Sequence, residues 1–315
     1  MYGAHIIFNN KIKIFQRYYS NKNKSLEPYW ITGFADGESS FSIRTTVDNS
    51  RKINIRVLPI FSIELHKKDI EVLEKIKEFF GVGSIIYRTR KDVTTVIYSV
   101  QDYDSLVSKI IPHFLNYPLI TQKQIDFLYF KEIVELISKK VHLCFATEEG
   151  ILKILSLKNS MGKGLNTTIR NLYPNIPKVS ISIAINESIK SVWWLIGFVD
   201  AEGCFYIKIS KSNQISLVFS LSQHNRDIKL FNIIKDYIEC GIIEQPKTRK
   251  DVRLVVYDLD NLTKKIIPIF NNNLITQKRY DLNKFKNVSL LMLNKEHLCF
   301  ATEEGRKIII KEKNK

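Results

Sequence analysis

One stretch of twelve residues constrains this chain more than any other feature, because it occurs twice. Residues 30–41 read WITGFADGESSF, and residues 194–205 read WLIGFVDAEGCF. In both copies a short apolar run that favours a helix ends on an acidic residue and continues into a strand pattern. The acidic residues are Glu38 and Glu202. The repeat therefore predicts two equivalent junctions between a helix and a strand, each with a carboxylate at the junction.

Each copy also carries two small residues four positions apart, which places them on one face of the predicted helix. They are Gly33 and Gly37 in the first copy, and Gly197 and Ala201 in the second. Small residues at this spacing let helix backbones approach closely, so we expect the two helices to pack together. That packing would bring Glu38 and Glu202 to the same end. Helix C-termini carry partial negative charge, so a divalent cation would stabilise the carboxylate pair and create a catalytic site.

The segments that follow the two motifs repeat in the same order. Apolar spacing and turn residues predict the pattern αββαββα, with further helices, in each half. Leu119–Lys123 returns as Leu274–Lys278, and residues 142–150 return unchanged as residues 297–305. Repetition over so long a span indicates duplication of a whole domain, with pseudo-two-fold symmetry, rather than a solenoid array.

We divide the chain into a basic extension at 1–25, a first domain at 26–158, a linker at 159–190 and a second domain at 191–315. The extension contains five Lys or Arg residues and no acid. It is typical of an organellar presequence, a disordered basic arm or the remnant of an upstream reading frame. The linker contains glycines and prolines without clear periodicity.

Charge is the most informative property of the composition. The formal net charge of +16 on 315 residues predicts a surface that binds a polyanion, with nucleic acid as the leading partner. A membrane-spanning helix is not expected, since no apolar run approaches 18 residues. The four cysteines form no CxxC pair, which is typical of reduced cysteines in an intracellular protein.

Taken together, the two motifs, the duplicated pattern and the charge resemble the single-chain LAGLIDADG homing endonucleases of organellar introns, in the variant G-F-x-D-x-E-G-x-F. The resemblance covers about residues 28–315, and the flanking segment YPLITQK at 117–123 contributes to it. It implies an α+β fold of two tandem αββαββα domains related by pseudo-two-fold symmetry. Their antiparallel sheets would form a saddle over the DNA major groove, and the protein would act as a monomer.

The resemblance further implies a site-specific endonuclease that cuts both strands of double-stranded DNA at a long asymmetric site. Glu38 and Glu202 would hold divalent metal, assisted by the backbone carbonyls of Gly37 and Ala201. Mg²⁺ is the expected ion, and Mn²⁺ or Ca²⁺ would fit the same sites. Gln223 matches a supporting catalytic residue of the family. Metal ions held in this way activate water and stabilise the leaving oxygen.

The residues that contact DNA are expected along alternate positions of the strands, because a two-stranded ribbon fits the major groove. Phe41 and Ile43 would face the core, so their neighbours would face the groove. In the first half the expected DNA-binding residues are Ser40, Ser42, Arg44, Thr46, Arg56, Ser62, Arg88, Arg90 and Lys91. In the second half they are Cys204, Tyr206, Lys208, Ser210, Lys247, Arg249, Lys250 and Arg253.

Three positions need separate treatment. Ser39 stands where the second motif has Gly203, and if that position requires a left-handed backbone, serine would strain the first junction and impair the site of Glu38. Gln101 and Asp258 stand where family members often have a lysine near the end of the last strand. Asp36 and Asp200 are expected to hydrogen-bond locally rather than to bind metal. These departures bear on cleavage and not on DNA binding.

Two other functions are compatible with the same fold. One is an intron maturase, which binds its host intron RNA and assists splicing, alone or as a second activity. The other is a protein that binds DNA without cutting it. The basic extension, with the abundance of Ile, Lys and Asn, suggests a mitochondrial location.

Overall fold

The computed structural model describes residues 25–51, 53–138, 147–181, 188–210, 215–246 and 250–294. The predicted basic extension up to residue 24, Lys247, Arg249 and the repeated segment at 297–305 lie outside these residues. The described residues divide into two compact units, Pro28–Trp194 and the part of the chain that begins at Leu195.

The first unit opens with the first motif helix and continues through two pairs of strands. Its elements are α1 (Pro28–Glu38), β1 (Ser39–Val47), β2 (Ile55–His66), α2 (Ile70–Phe80), β3 (Ser84–Arg90), β4 (Val93–Val100), α3 (Ile111–Asn116), α4 (Lys123–Ser138), α5 (Glu148–Ser160) and α6 (Thr167–Leu172). A 3₁₀ turn at Lys67–Asp69 leads into α2, and a π-helical turn at Leu106–Ile110 leads into α3.

The second motif helix begins just before Leu195, and the same order of elements follows it. These elements are α7 (Val192–Glu202), β5 (Gly203–Ile209), β6 (Ile215–His224), α8 (Ile228–Ile238), β7 (Ile242–Glu244), β8 (Asp251–Val256), α9 (Ile267–Phe270) and α10 (Lys278–Leu293). The matching 3₁₀ and π-helical turns are Asn225–Asp227 and Leu262–Ile266. None of the helices in the described ranges has both the length and the apolar character needed to span a membrane.

Each unit contains one antiparallel sheet of four strands. The strand orders are β1-β2-β4-β3 and β5-β6-β8-β7. In the first sheet the β3–β4 hairpin turns at Lys91 and Asp92, whose φ angles are 43° and 65°. Positive φ at both central residues is typical of a type I′ turn, the connection that suits twisted hairpins. The predicted α+β class and the αββαββα pattern are confirmed in both units.

Alternation along the first strand of each sheet buries an aromatic side chain at the same position. Phe41 lies with its ring centroid 5.1 to 5.5 Å from those of Phe61, Phe114, Phe127 and Phe130. Burial of such large rings is a major favourable term in folding. This cluster fixes which face of the sheet is covered by helices and which face is left open.

The equivalent cluster in the second unit is built around Phe205. Its ring lies 5.0 Å from Phe219, 5.9 Å from Phe270 and 5.7 Å from Phe285. The two sheets therefore have the same covered face, as the duplication predicted.

The motif helix of the first unit is tied to a distant turn by the buried Asp36. Its carboxylate accepts hydrogen bonds from the Ile120 N–H (3.1 Å), the Thr121 N–H (3.2 Å), the Thr121 hydroxyl (2.6 Å) and the Trp194 indole N–H (2.7 Å). Burial raises the pKa of Asp36, and the hydrogen bonds from Thr121, Ile120 and Trp194 oppose that rise. The expectation of local hydrogen bonds was wrong, since Thr121 lies 85 residues away along the chain.

Asp200 makes the same tie in the second unit. It accepts hydrogen bonds from the Ile275 N–H (3.1 Å), the Thr276 N–H (3.1 Å) and the Thr276 hydroxyl (2.6 Å). The turn that contacts Asp36 directly precedes α4, and the turn that contacts Asp200 directly precedes α10. This arrangement explains why the segment LITQK is repeated together with the motif.

A buried histidine contacts the motif helix in the first unit. His113 Nε2 lies 3.3 Å from Thr32 Oγ1, and Thr32 Oγ1 donates to the Tyr117 carbonyl at 2.9 Å. Burial lowers the pKa of His113 to about 3. The second unit has Ile269 at the equivalent position.

His113 should make the first unit sensitive to acid. Below the unfolded pKa of about 6.5, the unfolded chain binds a proton that buried His113 does not, so the free energy of unfolding falls as pH decreases towards 3. We expect a penalty of about 2 kcal/mol at pH 4.5 relative to pH 7. Calorimetric unfolding of wild type and His113→Ile at both pH values measures it. Equal losses of stability in the two proteins would contradict the prediction.

Candidate functional site

The first motif helix passes into its strand without a loop. Glu38 is the last residue of α1 and is half-buried, and Ser39 is the first residue of β1. Ser39 is buried, and its hydroxyl donates to the Ala35 carbonyl at 2.7 Å. Among the described residues with positive φ, neither Ser39 nor Gly203 occurs. The expectation that serine strains this junction through a left-handed backbone was therefore wrong.

The second junction has the same geometry but different residues at the two positions that pack together. Glu202 ends α7, and Gly203 begins β5. A Cβ atom on Gly203 would lie 2.5 Å from Val199 Cγ1 and 2.6 Å from the Val199 carbonyl oxygen. Glycine is needed here because both the side chain and the carbonyl oxygen of Val199 fill the space, whereas the first copy pairs the smaller Ala35 with Ser39. The difference between the copies is thus a compensated pair of residues.

A lysine contacts the end of each motif helix. The Lys123 ammonium donates to the carbonyls of Ala35 and Gly37, both at 2.8 Å. The Lys278 ammonium donates to the carbonyls of Val199 at 3.4 Å and Ala201 at 2.5 Å. The predicted site residues did not include these lysines. Their repetition in LITQK was visible in the sequence, but it did not show that this segment lies beside the motif.

Gln223, the predicted supporting residue, lies beside the second acidic residue. Its amide Nε2 donates to Glu202 Oε1 at 3.1 Å. The equivalent residue of the first unit is Leu65, since Leu65-His66 aligns with Gln223-His224 in the repeat. Leucine cannot donate a hydrogen bond, so the two acidic residues have different surroundings.

The positions that often carry lysine in the family have local roles here. The Gln101 amide donates to Ser99 Oγ at 3.1 Å. Asp258 begins a short helical turn and accepts a hydrogen bond from the Asn261 N–H at 2.8 Å. Neither contact involves Glu38 or Glu202.

The strand pairing of the first sheet brings most of its predicted DNA-binding residues onto one face. Ser39, Phe41, Ile43 and Thr45 are buried towards the helices, so alternate residues of β1 face the other way. Cross-strand partners share a face, which extends this surface over β2, β4 and β3. We call it the outer face. It contains Ser40, Ser42, Arg44, Thr46, Arg56, Ser62, Arg88 and Arg90, with Lys91 in the adjoining turn.

The outer face of the second sheet contains fewer described basic residues. Cys204, Tyr206 and Lys208 are exposed on β5, and the pairing places Arg253 on the same face. Ser210 follows the end of β5, and Lys250 directly precedes β8. Strand β7 has three residues where β3 has seven. The two faces therefore differ in both charge and length.

The first outer face also carries an acidic residue that was not predicted. Glu64 accepts hydrogen bonds from the Thr95 hydroxyl at 2.6 Å and from Arg88 Nη1 at 3.4 Å. A carboxylate on a basic surface is stabilised by such partners, although the exposed pair with Arg88 contributes little to stability. The predicted DNA-binding residues were all uncharged or basic, so they did not include Glu64.

The chemistry of the junctions suits a hard divalent cation. Carboxylate and backbone carbonyl oxygens are the ligands that Mg²⁺ and Ca²⁺ prefer. Within the described ranges, three or more His, Cys, Asp or Glu side chains do not come together as a metal cage. A site with few protein ligands, completed by water and phosphate, is typical of Mg²⁺. The donors therefore fit, although the carbonyls of Gly37 and Ala201 already accept hydrogen bonds from lysine.

Comparison with known proteins gives a consistent result. A family model described as LAGLIDADG endonuclease matches residues 31–134 and 195–289. Probable intron-encoded endonuclease 2 of Neurospora crassa is 36% identical over 300 residues, covering 92% of this chain and 65% of that protein. Probable intron-encoded endonuclease 3 of the same fungus is 33% identical over 301 residues, covering 92% and 55%. The chain thus spans less than two thirds of the length of these relatives.

A more distant relative is named a mitochondrial protein. Uncharacterized mitochondrial protein RF1 of Saccharomyces cerevisiae is 28% identical over 242 residues, covering 75% of this chain and 44% of that protein.

Solved structures match along almost the whole chain. The LAGLIDADG homing endonuclease I-SmaMI bound to cleaved DNA has a TM-score of 0.85 and 35% identity, covering 93% of this chain and 97% of that chain. I-SmaMI bound to an uncleaved DNA target in the presence of calcium ions has a TM-score of 0.84 at 35% identity, with coverages of 92% and 98%.

Because each junction combines a matched pair of residues, replacing one residue of a pair should affect the stability of the two units differently. Gly203→Ser should destabilise the second unit by about 1–3 kcal/mol, because its Cβ would overlap Val199. Val199→Ala with Gly203→Ser should recover part of this loss, since the first unit accommodates that pair. Thermal unfolding of both variants measures the effect, with Ser39→Gly as the reverse exchange. A single variant as stable as wild type would contradict the prediction.

Proposed function

The chain belongs to the LAGLIDADG endonuclease family, and we propose that it is a homing endonuclease that cleaves both strands of a long asymmetric DNA site. One observation carries the proposal. In both units a half-buried glutamate ends the motif helix where the first strand of a basic outer face begins. DNA bound along the outer face would therefore bring phosphate groups close to these carboxylates.

We assign Glu38 and Glu202 as the residues that hold divalent metal, with Mg²⁺ as the ion. The backbone carbonyls of Gly37 and Ala201 would provide additional oxygen ligands. When bound, the metal would activate water and stabilise the leaving 3′ oxygen. The solved structure of I-SmaMI with calcium ions and uncleaved DNA supports a divalent requirement by analogy.

The outer faces would bind double-stranded DNA through arginine and lysine contacts to phosphates and base edges. The first face offers Arg44, Arg56, Arg88 and Arg90, and the second offers Lys208 and Arg253. Because the two sets differ, the preferred DNA site should be non-palindromic. Counterion release would make affinity strongly dependent on salt.

The maturase alternative does not require Glu38 or Glu202, because splicing assistance depends on RNA binding alone. The presence of an acidic residue at both junctions favours the nuclease. A mitochondrial location is proposed from the named mitochondrial relative and from the intron-encoded relatives.

Replacing one acidic residue should abolish cleavage of one strand. We expect Glu38→Gln and Glu202→Gln to nick supercoiled target plasmid, and the double variant to cut neither strand. The rate of cleavage of the affected strand should fall by more than the roughly 10–100-fold that is typical when a residue that only supports a metal ligand is replaced. Glu74→Gln, on an exposed position of α2, is the matched control. Double-strand cleavage by the double variant at the wild-type rate would refute the proposal.

Gln223 should support the acidic residue of its own unit. We expect Gln223→Leu, which copies the first unit, to slow cleavage of one strand by about 10–100-fold while leaving DNA affinity unchanged. The same strand should be the one that Glu202→Gln leaves uncut. Strand-specific end labelling in a single-turnover assay separates the two rates. Slowing of both strands equally would be evidence against this role.

A further inference from the structure

We propose that Lys123 and Lys278 are positioning residues that occupy the place of a cation at the ends of α1 and α7 until DNA is bound. This inference rests on the proposed function and concerns how its metal sites are controlled. It assigns a role to two lysines that lie outside the motif in sequence and contact it in the folded chain.

The contacts are equivalent in the two units. Lys123 donates to the carbonyls of the residues three and one positions before Glu38, each at 2.8 Å. Lys278 makes the matching pair of contacts before Glu202, at 3.4 and 2.5 Å. An ammonium held by two carbonyls in both copies is a built feature of the junction rather than a surface side chain in one of many orientations.

The junctions need such a donor because of how the motif helices end. Neither α1 nor α7 has a basic residue in its last turn, and each runs directly into a strand. The final carbonyls of a helix lack partners within the helix, and its C-terminus carries partial negative charge. Adding a glutamate there increases the negative charge. The lysine supplies both the missing hydrogen bonds and the opposite charge.

The lysine is itself fixed by the buried aspartate. In the first unit the Thr121 hydroxyl donates to Asp36 and accepts a hydrogen bond from the Lys123 backbone N–H at 3.1 Å. The second unit repeats this with Thr276, Asp200 and the Lys278 N–H at 3.4 Å. The start of the lysine-bearing helix is thus anchored to the same motif helix whose end the ammonium holds.

A metal ion at either junction would meet this ammonium. The Gly37 and Ala201 carbonyls, which are candidate metal ligands, are the oxygens that the lysines already contact. Positive charges separated by a few ångströms disfavour each other, so each lysine should weaken metal binding in the absence of DNA. A bound phosphate adds negative charge at the junction and offsets this repulsion. Metal would then be taken up together with the substrate.

A lysine that only caps the helix predicts a different result. Its removal would loosen the end of the helix and displace the glutamate, so metal affinity would stay the same or fall. The direction of the change in metal affinity therefore separates the two roles.

The test is a calorimetric titration of DNA-free protein with Ca²⁺ at fixed ionic strength. We expect Lys278→Met and Lys123→Met each to bind Ca²⁺ about tenfold more tightly than wild type, because one neighbouring positive charge is gone. Lys278→Arg keeps the charge and should behave as wild type. Adding Glu202→Gln to Lys278→Met should abolish the gain, which would locate the ion at that junction.

Lys264→Met is the matched control for loss of one lysine. Lys264 is exposed and pairs with Asp260 on the surface of the same unit, so this variant should leave Ca²⁺ affinity unchanged. Circular dichroism tests whether every variant is folded at the titration temperature. Because Lys123 and Lys278 lie in different units, their variants test the inference independently. If neither Lys123→Met nor Lys278→Met binds Ca²⁺ more tightly than wild type, the inference is overturned.

The outcome is separable from that of the proposed function. If cleavage depends on Glu38 and Glu202 but the lysine variants gain no affinity, the endonuclease assignment stands and this inference fails. If cleavage does not depend on the glutamates, the endonuclease site itself is misassigned, and the plasmid assay reports it without any lysine variant.

Discussion

The hydrogen bonds of the buried aspartates organise each unit of this protein. Asp36 and Asp200 each accept two backbone N–H groups and a threonine hydroxyl from a turn more than seventy residues away. A buried carboxylate is costly unless such donors surround it. Folding of the motif helix is therefore coupled to the packing of the distant turn against it. The tie also places a lysine at the end of the helix. The surroundings of the acidic residues at the junctions thus depend on residues that lie outside the motif in sequence.

Features with a short-range cause were predictable from the sequence. The helix–strand junctions, the β3–β4 hairpin and the outward positions of Ser40, Ser42 and Arg44 follow from local periodicity, because alternation along a strand fixes which side chains share a face. The duplication supports the same assignment twice, because the two halves carry the same pattern in the same order. These features account for the fold and for most of the outer face.

Features that depend on contacts between distant segments were not predictable in the same way. The Lys123 contact spans more than eighty residues, and the sequence showed only that LITQK was repeated. The role of Ser39 was misread because its effect depends on Ala35, and a substitution that is compensated by a neighbour cannot be judged alone. Glu64 was not among the predicted residues, and its contacts with Arg88 and Thr95 join different strands, which the sequence alone does not show.

The paired residues at the junctions have a consequence for recombination between the two repeated halves of the gene. A crossover that joins one half to the other between the codons for residues 35 and 39, or at the matching codons for residues 199 and 203, would separate partners that fit together. One product would combine valine with serine and be overpacked, and the other would combine alanine with glycine and leave a void. Exchange outside this interval keeps each pair intact. The motif should therefore be inherited as a block, which limits where functional chimeras of such halves can be joined.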